Sequence, residues 1–322
     1  MIGIFARLLI ATLPLLAASL AGAEEKMIEP KMTEPKMTEP EIAEPKMTEP
    51  ETVYFPSADG KTEIVGYLFK PPDAGAHGAV VMLHGRAGPY STNVNEDCTV
   101  VARGVTSPCN AATLSKRHRM WGEYWSARGY LALLPDSFGP RGVAHGFGRF
   151  THGAPERDGV NEKTVRPLDA EGALAFLRTR KDVAPQRVVL QGWSNGGSTA
   201  LNVMIRQGQS EGANGNAHAG FRTALAFYPG CGKAALLEST VKTTTPIAMF
   251  VGSDDEEVSP RICQHVAERS LAAGTKLDVT LYPGATHDFD DPGAKRQSVP
   301  ANVAAKDDAM HKAIAWVEQM RD

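Results

Sequence analysis

The chain has 322 residues, a formal net charge of −3 and four cysteines. The charge is uneven, because residues 24–51 hold nine Glu and four Lys, a net of −5, which leaves residues 52–322 near +1. A nearly neutral main part gives no electrostatic reason to expect a nucleic-acid partner. About 270 residues are long enough for one sizeable core and are consistent with one domain.

Residues 1–23 have the pattern of a secretory signal peptide. Arg7 is their only charge, the apolar run Leu8–Leu20 is interrupted by Pro14, and small residues at 21–23 form a cleavage site before Glu24. The apolar run is too short for a comfortable membrane span. We expect an exported protein in a bacterial periplasm, with no stable membrane insertion after cleavage; a retained anchor is the alternative.

Residues 24–52 are dominated by a five-residue repeat of the form Lys-Met-Thr-Glu-Pro. Proline at every fifth position forbids a helix, and a period of five matches neither helix nor strand. The pattern predicts an extended, disordered linker. Copper(I) binding by Met27, Met32, Met37 and Met47 is the sharper alternative, but no His or Cys joins these methionines.

The remaining residues, 53–322, show strands that alternate with helical patterns. Val53–Phe55 and Thr62–Phe69 flank a turn and predict an antiparallel hairpin. Six further strands are predicted at about 79–84, 131–135, 187–191, 222–228, 246–251 and 277–282. Alternation of this kind predicts an α/β fold with a mostly parallel sheet. The last helix, about 301–320, should dock on the sheet through apolar residues, namely Val303, Ala304, Met310, Ile314 and Val317.

The segment Gly192-Trp-Ser-Asn-Gly-Gly197 follows the strand Arg187–Gln191. A strand that runs into Gly-x-Ser-x-Gly and then a helix is typical of a nucleophile elbow, in which a sharp turn exposes the hydroxyl of Ser194. Bulky side chains at the two glycines would collide with the turn. The motif predicts Ser194 as a nucleophile.

A serine nucleophile needs a base and a group that orients the base. His287 lies in the loop after the last predicted strand, and Asp254 and Asp255 follow the strand before it. Both positions suit the site, because open α/β sheets carry their chemistry beyond the carboxyl ends of strands. We favour Asp255 as the acid, in the spacing Gly252-x-x-Asp255-x-x-Val258, with Asp254 as the alternative. Glu256 and Glu257 are expected to form a solvated helix start.

An oxyanion hole needs two backbone amides aimed at the developing negative charge. One should be the amide of Asn195, and the other that of Arg86 or Ala87 in the loop after strand 79–84. We interpret His84 as a packed loop anchor with no part in the chemistry.

Several segments together resemble the dienelactone hydrolase family. They are Val80–Gly85, Trp121, Gly129-Tyr130, Leu134–Gly142, Gly192–Gly196, Phe227–Cys231, Gly252–Asp255 and Tyr282–Phe289. The resemblance spans about residues 53–320. It implies an α/β-hydrolase catalytic domain over residues 53–322 that cleaves small-molecule esters or lactones through an acyl-enzyme, without a metal or an organic cofactor.

Two departures from the family pattern bear on the substrate. Members that cleave dienelactone carry cysteine where this chain has Ser194, and an arginine where it has Asp291, four residues past His287. An acid at that position should repel a substrate carboxylate. We therefore expect the chemistry of an esterase of this family and not dienelactone as the substrate.

The four cysteines fit export. Three connectivities are open, and we favour Cys98–Cys109 with Cys231–Cys263, because the first pair brackets a short insertion and the second follows two neighbouring strands. The insertion at about 88–120 and the glycine-rich loop 139–153 should frame the pocket mouth. We interpret four residues of the second loop as loop residues, namely Arg141, Arg149, His145 and His152. No metal site is predicted there.

These observations predict a secreted serine hydrolase with the triad Ser194, Asp255 and His287. A serine peptidase of the prolyl-oligopeptidase kind shares the triad order, but those enzymes carry a large gating domain for which this chain has no room. A binding protein on an inactive hydrolase scaffold is the third hypothesis, against which the complete triad argues.

Overall fold

The computed structural model describes residues 49–214 and 220–320. The predicted signal peptide and most of the predicted linker lie outside the described residues. The contacts within the chain divide it into Met1–Lys46 and Met47–Asp322, and all described residues belong to the second unit.

An eight-stranded sheet forms the centre of this unit. In chain order its strands are β1 (Glu51–Pro56), β2 (Glu63–Phe69), β3 (His77–Leu83), β4 (Tyr130–Asp136), β5 (Val183–Trp193), β6 (Ala224–Phe227), β7 (Ile247–Gly252) and β8 (Leu277–Tyr282). Their order across the sheet is β1-β2-β4-β3-β5-β6-β7-β8. The pairs β1–β2 and β2–β4 are antiparallel and all others are parallel. The predicted hairpin and parallel sheet are confirmed, and β1 already begins at Glu51.

Helices cover both faces of the sheet. They are α1 (Lys116–Ser126), α2 (Arg166–Arg178), α3 (Asn195–Asn214), α4 (Pro260–Ala272), α5 (Ala294–Gln297) and α6 (Pro300–Gln319). One core cluster joins the sheet to α2, α3 and α4, and the other joins it to α1 and α6. Along β3, Val81 belongs to the first cluster whereas Val80 and Met82 belong to the second. Strands covered on both faces are apolar throughout, which is why their sequences do not alternate.

The predicted docking face of α6 is partly wrong. Val317 is buried, but Val303 and Ala304 are exposed. The buried stripe consists of Ala305, Ala309 and Ala313, which recur every fourth residue and share one helix face. Alanine side chains let the helix backbone lie close to the sheet. The predicted residues Met310, Ile314 and Val317 also pack against this core, so the prediction fails only in the first turn of the helix.

The carboxyl ends of the parallel strands meet at one edge of the sheet. The loops after β3, β5, β7 and β8 all leave from this edge and carry the predicted site residues. Within residues 49–214 and 220–320, no helix combines the length and the hydropathy needed to cross a membrane.

Two disulfides tie loops to this frame. Cys98 bonds to Cys109 and Cys231 bonds to Cys263, with sequence separations of 11 and 32. This is the pairing favoured from the sequence. The second bridge connects the loop after β6 to α4, so it restrains two elements beside the site edge.

We expect removal of either bridge to destabilise the fold, and the longer loop to cost more. Loop-closure entropy gives about 3 kcal/mol for Cys98–Cys109 and nearly 1 kcal/mol more for Cys231–Cys263. Urea unfolding of the double variants Cys98→Ala/Cys109→Ala and Cys231→Ala/Cys263→Ala would measure both losses. Equal stability of the two variants would contradict the chain-entropy account.

Candidate active site

Ser194 lies in the tight turn between β5 and α3. Its φ is +52°, a left-handed conformation that is strained for a residue with a side chain. A Cβ on Gly192 would lie 2.1 Å from the carbonyl oxygen of Gly196, and a Cβ on Gly196 would lie 2.0 Å from that of Leu83. Only glycine fits at either position, so the turn has the geometry of a nucleophile elbow.

A continuous hydrogen-bond chain joins the three residues of the predicted triad. The hydroxyl of Ser194 lies 3.0 Å from Nε2 of His287, and Nδ1 of His287 lies 2.8 Å from Oδ2 of Asp255. The other carboxylate oxygen of Asp255 accepts bonds from the amides of Glu257 and Val258, which fix its orientation. The structure thus brings together Ser194, His287 and Asp255.

Asp254, the alternative acid, points elsewhere. Its carboxylate accepts a bond from the hydroxyl of Ser253 and is exposed to solvent. The adjacent Asp255 is the carboxylate in contact with the histidine.

The loop after β3 lies against the nucleophile. A Cβ on Gly85 would be 3.7 Å from the Cβ of Ser194. Among the described residues, the amides of Arg86, Ala87 and Asn195 have no hydrogen-bond acceptor. Amides on both sides of the serine are therefore available to a substrate oxygen, and the contacts do not distinguish Arg86 from Ala87.

His84 is a buried anchor for this loop. Its Nδ1 lies 2.8 Å from the carbonyl oxygen of Gly85, and its Nε2 accepts the amide hydrogen of Ser137. This pattern requires a neutral ring with the proton on Nδ1. Burial, aided by the nearby Arg166, holds the pKa of His84 well below its usual value. His84 does not touch the triad, which agrees with its interpretation as an anchor.

The expectation for Glu256 and Glu257 is wrong, because neither lies in a solvated helix start. Helix α4 begins only at Pro260. The Glu257 side chain is only 7% exposed and accepts two hydrogen bonds from Arg86. It also forms an ion pair with Arg149 at 2.8 Å. Glu256 accepts the backbone amide hydrogen of His287 at 2.9 Å. The arginine and histidine partners come from distant parts of the chain, so the local sequence gave no sign of these contacts.

Loop 139–153 crosses the site edge. The amide of Phe147 donates to the carbonyl of Arg86, and Arg149 reaches Glu257, whose carboxylate lies 3.9 Å from Nε2 of His287. At its end, His152 bonds to the buried carboxylate of Glu162 at 2.5 Å. Arg141 instead binds Asp169 and the carbonyl of Ser137, as a loop-holding residue should.

A buried polar cluster supports the histidine from behind. The ring of Tyr228 lies edge-on to that of His287, with centroids 4.7 Å apart, and its hydroxyl accepts a hydrogen bond from Arg117. Arg117 also forms an ion pair with Asp288. Burial alone would raise the pKa of the Asp288 carboxyl, but Arg117 and then His287 hold it well below its usual range. Asp288 is therefore an anion beside the catalytic histidine.

Asp290 connects the histidine loop to the nucleophile elbow. Its carboxylate is fully buried and accepts hydrogen bonds from the indoles of Trp121 and Trp193 and from the hydroxyl of Tyr228. Trp193 directly precedes Ser194. The sequence analysis missed this residue. The signal available in the sequence was an acidic residue at the end of the segment His287-Asp-Phe-Asp290, which lies within a stretch that must be buried.

One group of potential metal ligands exists among the described residues, and it overlaps the triad. Glu257, His287 and Asp288 offer ligand atoms within 4.8 Å of one another. Each is already bonded within the protein, to Arg86, Ser194 and Arg117 respectively. The flanking arginines would repel a cation, so these donors do not fit a metal ion.

A sequence model of the dienelactone hydrolase family matches residues 114–321, about two thirds of the chain. The chain belongs to the dienelactone hydrolase family. Membership of this family assigns it to the carboxylic ester hydrolases. The matched segment contains Ser194, Asp255 and His287. No curated protein sequence matches the chain significantly.

Solved structures with the same fold include family relatives. Esterase 2 of the Planctomycetes species Thermogutta terrifontis, with propionate bound, has a TM-score of 0.55 at 19% identity, covering 86% of this chain and 96% of that one. The same esterase phosphorylated by paraoxon has a TM-score of 0.55 at 18% identity, covering 86% of this chain and 96% of that one. The dienelactone hydrolase-like promiscuous phosphotriesterase P91, from metagenomic libraries, has a TM-score of 0.57 at 16% identity, covering 84% of this chain and 98% of that one.

The charges around His287 predict its titration. Burial opposes the imidazolium, but Asp288 above all, with Asp255 and Glu257, outweighs it and raises the pKa of His287 above the ordinary 6.5. We expect Asp288→Asn to lower that pKa by about 1 pH unit, since a neighbouring anion favours the charged ring. An NMR titration of the imidazole would measure it.

The matched control is Asp291→Asn, because the carboxylate of Asp291 holds the amide of Gly293 and does not contact the histidine. If the pKa of His287 falls equally in both variants, Asp288 has no particular effect on the histidine.

Proposed function

We propose that this protein is a secreted serine hydrolase that cleaves carboxylic esters or lactones through an acyl-enzyme on Ser194. The observation that carries the proposal is the hydrogen-bond chain from Ser194 through His287 to Asp255 at a strained elbow. A buried, oriented imidazole whose Nε2 lies 3.0 Å from the serine hydroxyl is the arrangement that turns serine into a nucleophile.

The three triad residues and the backbone amides divide the proposed reaction between them. Nε2 of His287 accepts the proton of Ser194 as its Oγ attacks the ester carbonyl, and Asp255 stabilises the resulting imidazolium. The amides of Asn195 and of Arg86 or Ala87 bind the oxyanion. When the tetrahedral intermediate collapses, the C–O bond breaks and the imidazolium protonates the leaving alcohol.

Deacylation repeats these steps with water. Nε2 of His287 removes a proton from the water, hydroxide adds to the acyl carbon, and the bond to Oγ of Ser194 breaks as the serine regains its proton. The products are the carboxylic acid and the free enzyme.

The residue at position 291 supports an inference about the substrate class. Where the family's dienelactone-cleaving members place an arginine, this chain has Asp291, so no cation at that position attracts a substrate carboxylate. We therefore propose uncharged small esters or lactones. The propionate in the Thermogutta esterase supports a short acyl chain as the first probe.

Ser194→Ala should abolish hydrolysis of p-nitrophenyl propionate, lowering kcat by at least about 10³-fold, because it removes the nucleophile. Ser198→Ala is the matched control: this buried serine lies in the first turn of α3, four residues after Ser194, and its hydroxyl bonds to the backbone carbonyls of Gly230 and Ser194 but not to the triad side chains. We expect the control to remain active.

Paraoxon provides the covalent test. It should add one diethylphosphoryl group to the wild type and the Ser198→Ala variant, located at Ser194 by mass spectrometry, and none to Ser194→Ala. Cleavage of peptide amides by the purified protein would favour the peptidase hypothesis. A folded protein that neither hydrolyses esters nor reacts with paraoxon would favour the binding hypothesis and refute ours.

We also propose export to a bacterial periplasm with cleavage after Ala23. The signal-like pattern of residues 1–23 and the two disulfides support it, because such bonds form in oxidising compartments. Expression in a bacterium followed by fractionation should recover a periplasmic protein whose N-terminus is Glu24 by intact mass. A cytoplasmic protein with residues 1–23 retained would contradict the proposal.

A further inference from the structure

A buried arginine joins the two backbone segments that line the proposed oxyanion hole. Arg166 is the first residue of α2 and is fully buried. Its Nη2 donates to the carbonyl oxygen of His84 at 2.6 Å, and its Nη1 donates to the side-chain oxygen of Asn195. His84 precedes the loop that carries Arg86, and Asn195 follows Ser194 in the chain. One guanidinium therefore spans both sides of the nucleophile.

The guanidinium is suited to this bridge in a way that other side chains are not. Its planar fork can donate in two fixed directions at once, whereas a lysine ammonium is a single point on a flexible stem. The guanidinium carbon lies 5.1 Å from the ring centre of Phe138, whose ring also packs edge-on against His84. The fork is thus held in place by packing as well as by its hydrogen bonds.

Arg166 remains charged despite its burial. Burial lowers the pKa of Arg166 to about 10, against the opposing influence of the carboxylates of Glu162 and Asp169. Glu162 is itself fully buried and is held by His152 and Arg157. Buried charge networks generally contribute little net stability compared with apolar side chains of the same size. Stability alone is therefore a weak reason for a charged bridge at this point of the fold.

We propose that Arg166 is a positioning residue that sets the separation of the two oxyanion amides, through its bonds to the carbonyl of His84 and the side chain of Asn195. The inference rests on the proposed function. Because neither amide is fixed by another hydrogen bond among the described residues, the rigidity of the hole depends on the segments that carry them.

Loss of the bridge should affect the transition state more than the bound substrate. An oxyanion donor contributes roughly 100- to 1,000-fold to kcat, and this contribution depends on placement of the donors to a fraction of an ångström. Arg166→Met should therefore lower kcat by about 100-fold while KM changes less than about threefold. Asn195→Ala keeps the backbone amide and removes one end of the bridge, so we expect about a 10-fold loss.

The experiment compares Arg166→Met, Arg166→Lys, Asn195→Ala and the double variant Arg166→Met/Asn195→Ala, with Arg178→Met as the matched control. Arg178 ends the same helix and also donates to backbone carbonyls, those of Pro185 and Gly220, away from the site. For each variant, paraoxon endpoint labelling counts the competent sites, and kcat and KM for p-nitrophenyl propionate are expressed per labelled site.

A trifluoromethyl ketone, which forms a tetrahedral oxyanion on the serine, supplies the readout that a structural role would not move. Its inhibition constant should rise in parallel with the loss in kcat/KM, while inhibition by propionate stays unchanged. The double variant should lose no more than Arg166→Met alone, because both changes break one bridge.

Unchanged kcat per labelled site in Arg166→Met, with only a lower Tm, would overturn the inference. If Arg166→Met does not fold, the same measurements on Arg166→Lys and Asn195→Ala test the inference. Both variants binding the trifluoromethyl ketone as tightly as the wild type would then overturn it. An inactive, unlabelled wild type would instead overturn the proposed function, and the inference with it.

Discussion

The strained turn at Ser194 is the constraint on which the site depends. The chain passes from β5 to α3 with a positive φ at the serine, and the carbonyls of Leu83 and Gly196 approach so closely that Gly192 and Gly196 have no room for a side chain. Such strain persists only where the surroundings hold the turn from several sides. The sheet provides one restraint, since the amide of Ser194 donates to the carbonyl of Phe227 on β6.

Two buried polar groups provide the other restraints, one on each flank of the serine. Asp290 binds the indole of Trp193 immediately before the turn, and Arg166 binds the side chain of Asn195 immediately after it. Asp290 itself belongs to the histidine loop and also accepts a bond from Tyr228, and Arg166 also donates to the carbonyl of His84, next to the loop after β3. The elbow is thereby fixed relative to both its base and its oxyanion loop.

Much of this architecture was predictable from local patterns. The apolar strands, the hairpin and the elbow motif each leave a signature within about ten residues, and the order of Ser194, Asp255 and His287 along the chain follows the strand order of the fold. The buried face of α6 was harder to predict from the sequence, because its stripe of alanines is only weakly hydrophobic and Val303 is exposed.

Local patterns were enough to predict the sheet, the strained serine and the pairing of Ser194 with His287, because glycine spacing and strand ends are local features. The choice of Asp255 over Asp254 rests on the contact seen in the structure. The burial and pairing of the charged side chains, by contrast, are visible only in the folded structure. Glu257 was expected to be a solvated acid, but its partner Arg86 lies 171 residues away. Arg166 had no assigned role in the sequence analysis and is a buried bridge. Desolvation and pairing depend on which distant groups the fold brings together, and no local pattern encodes that.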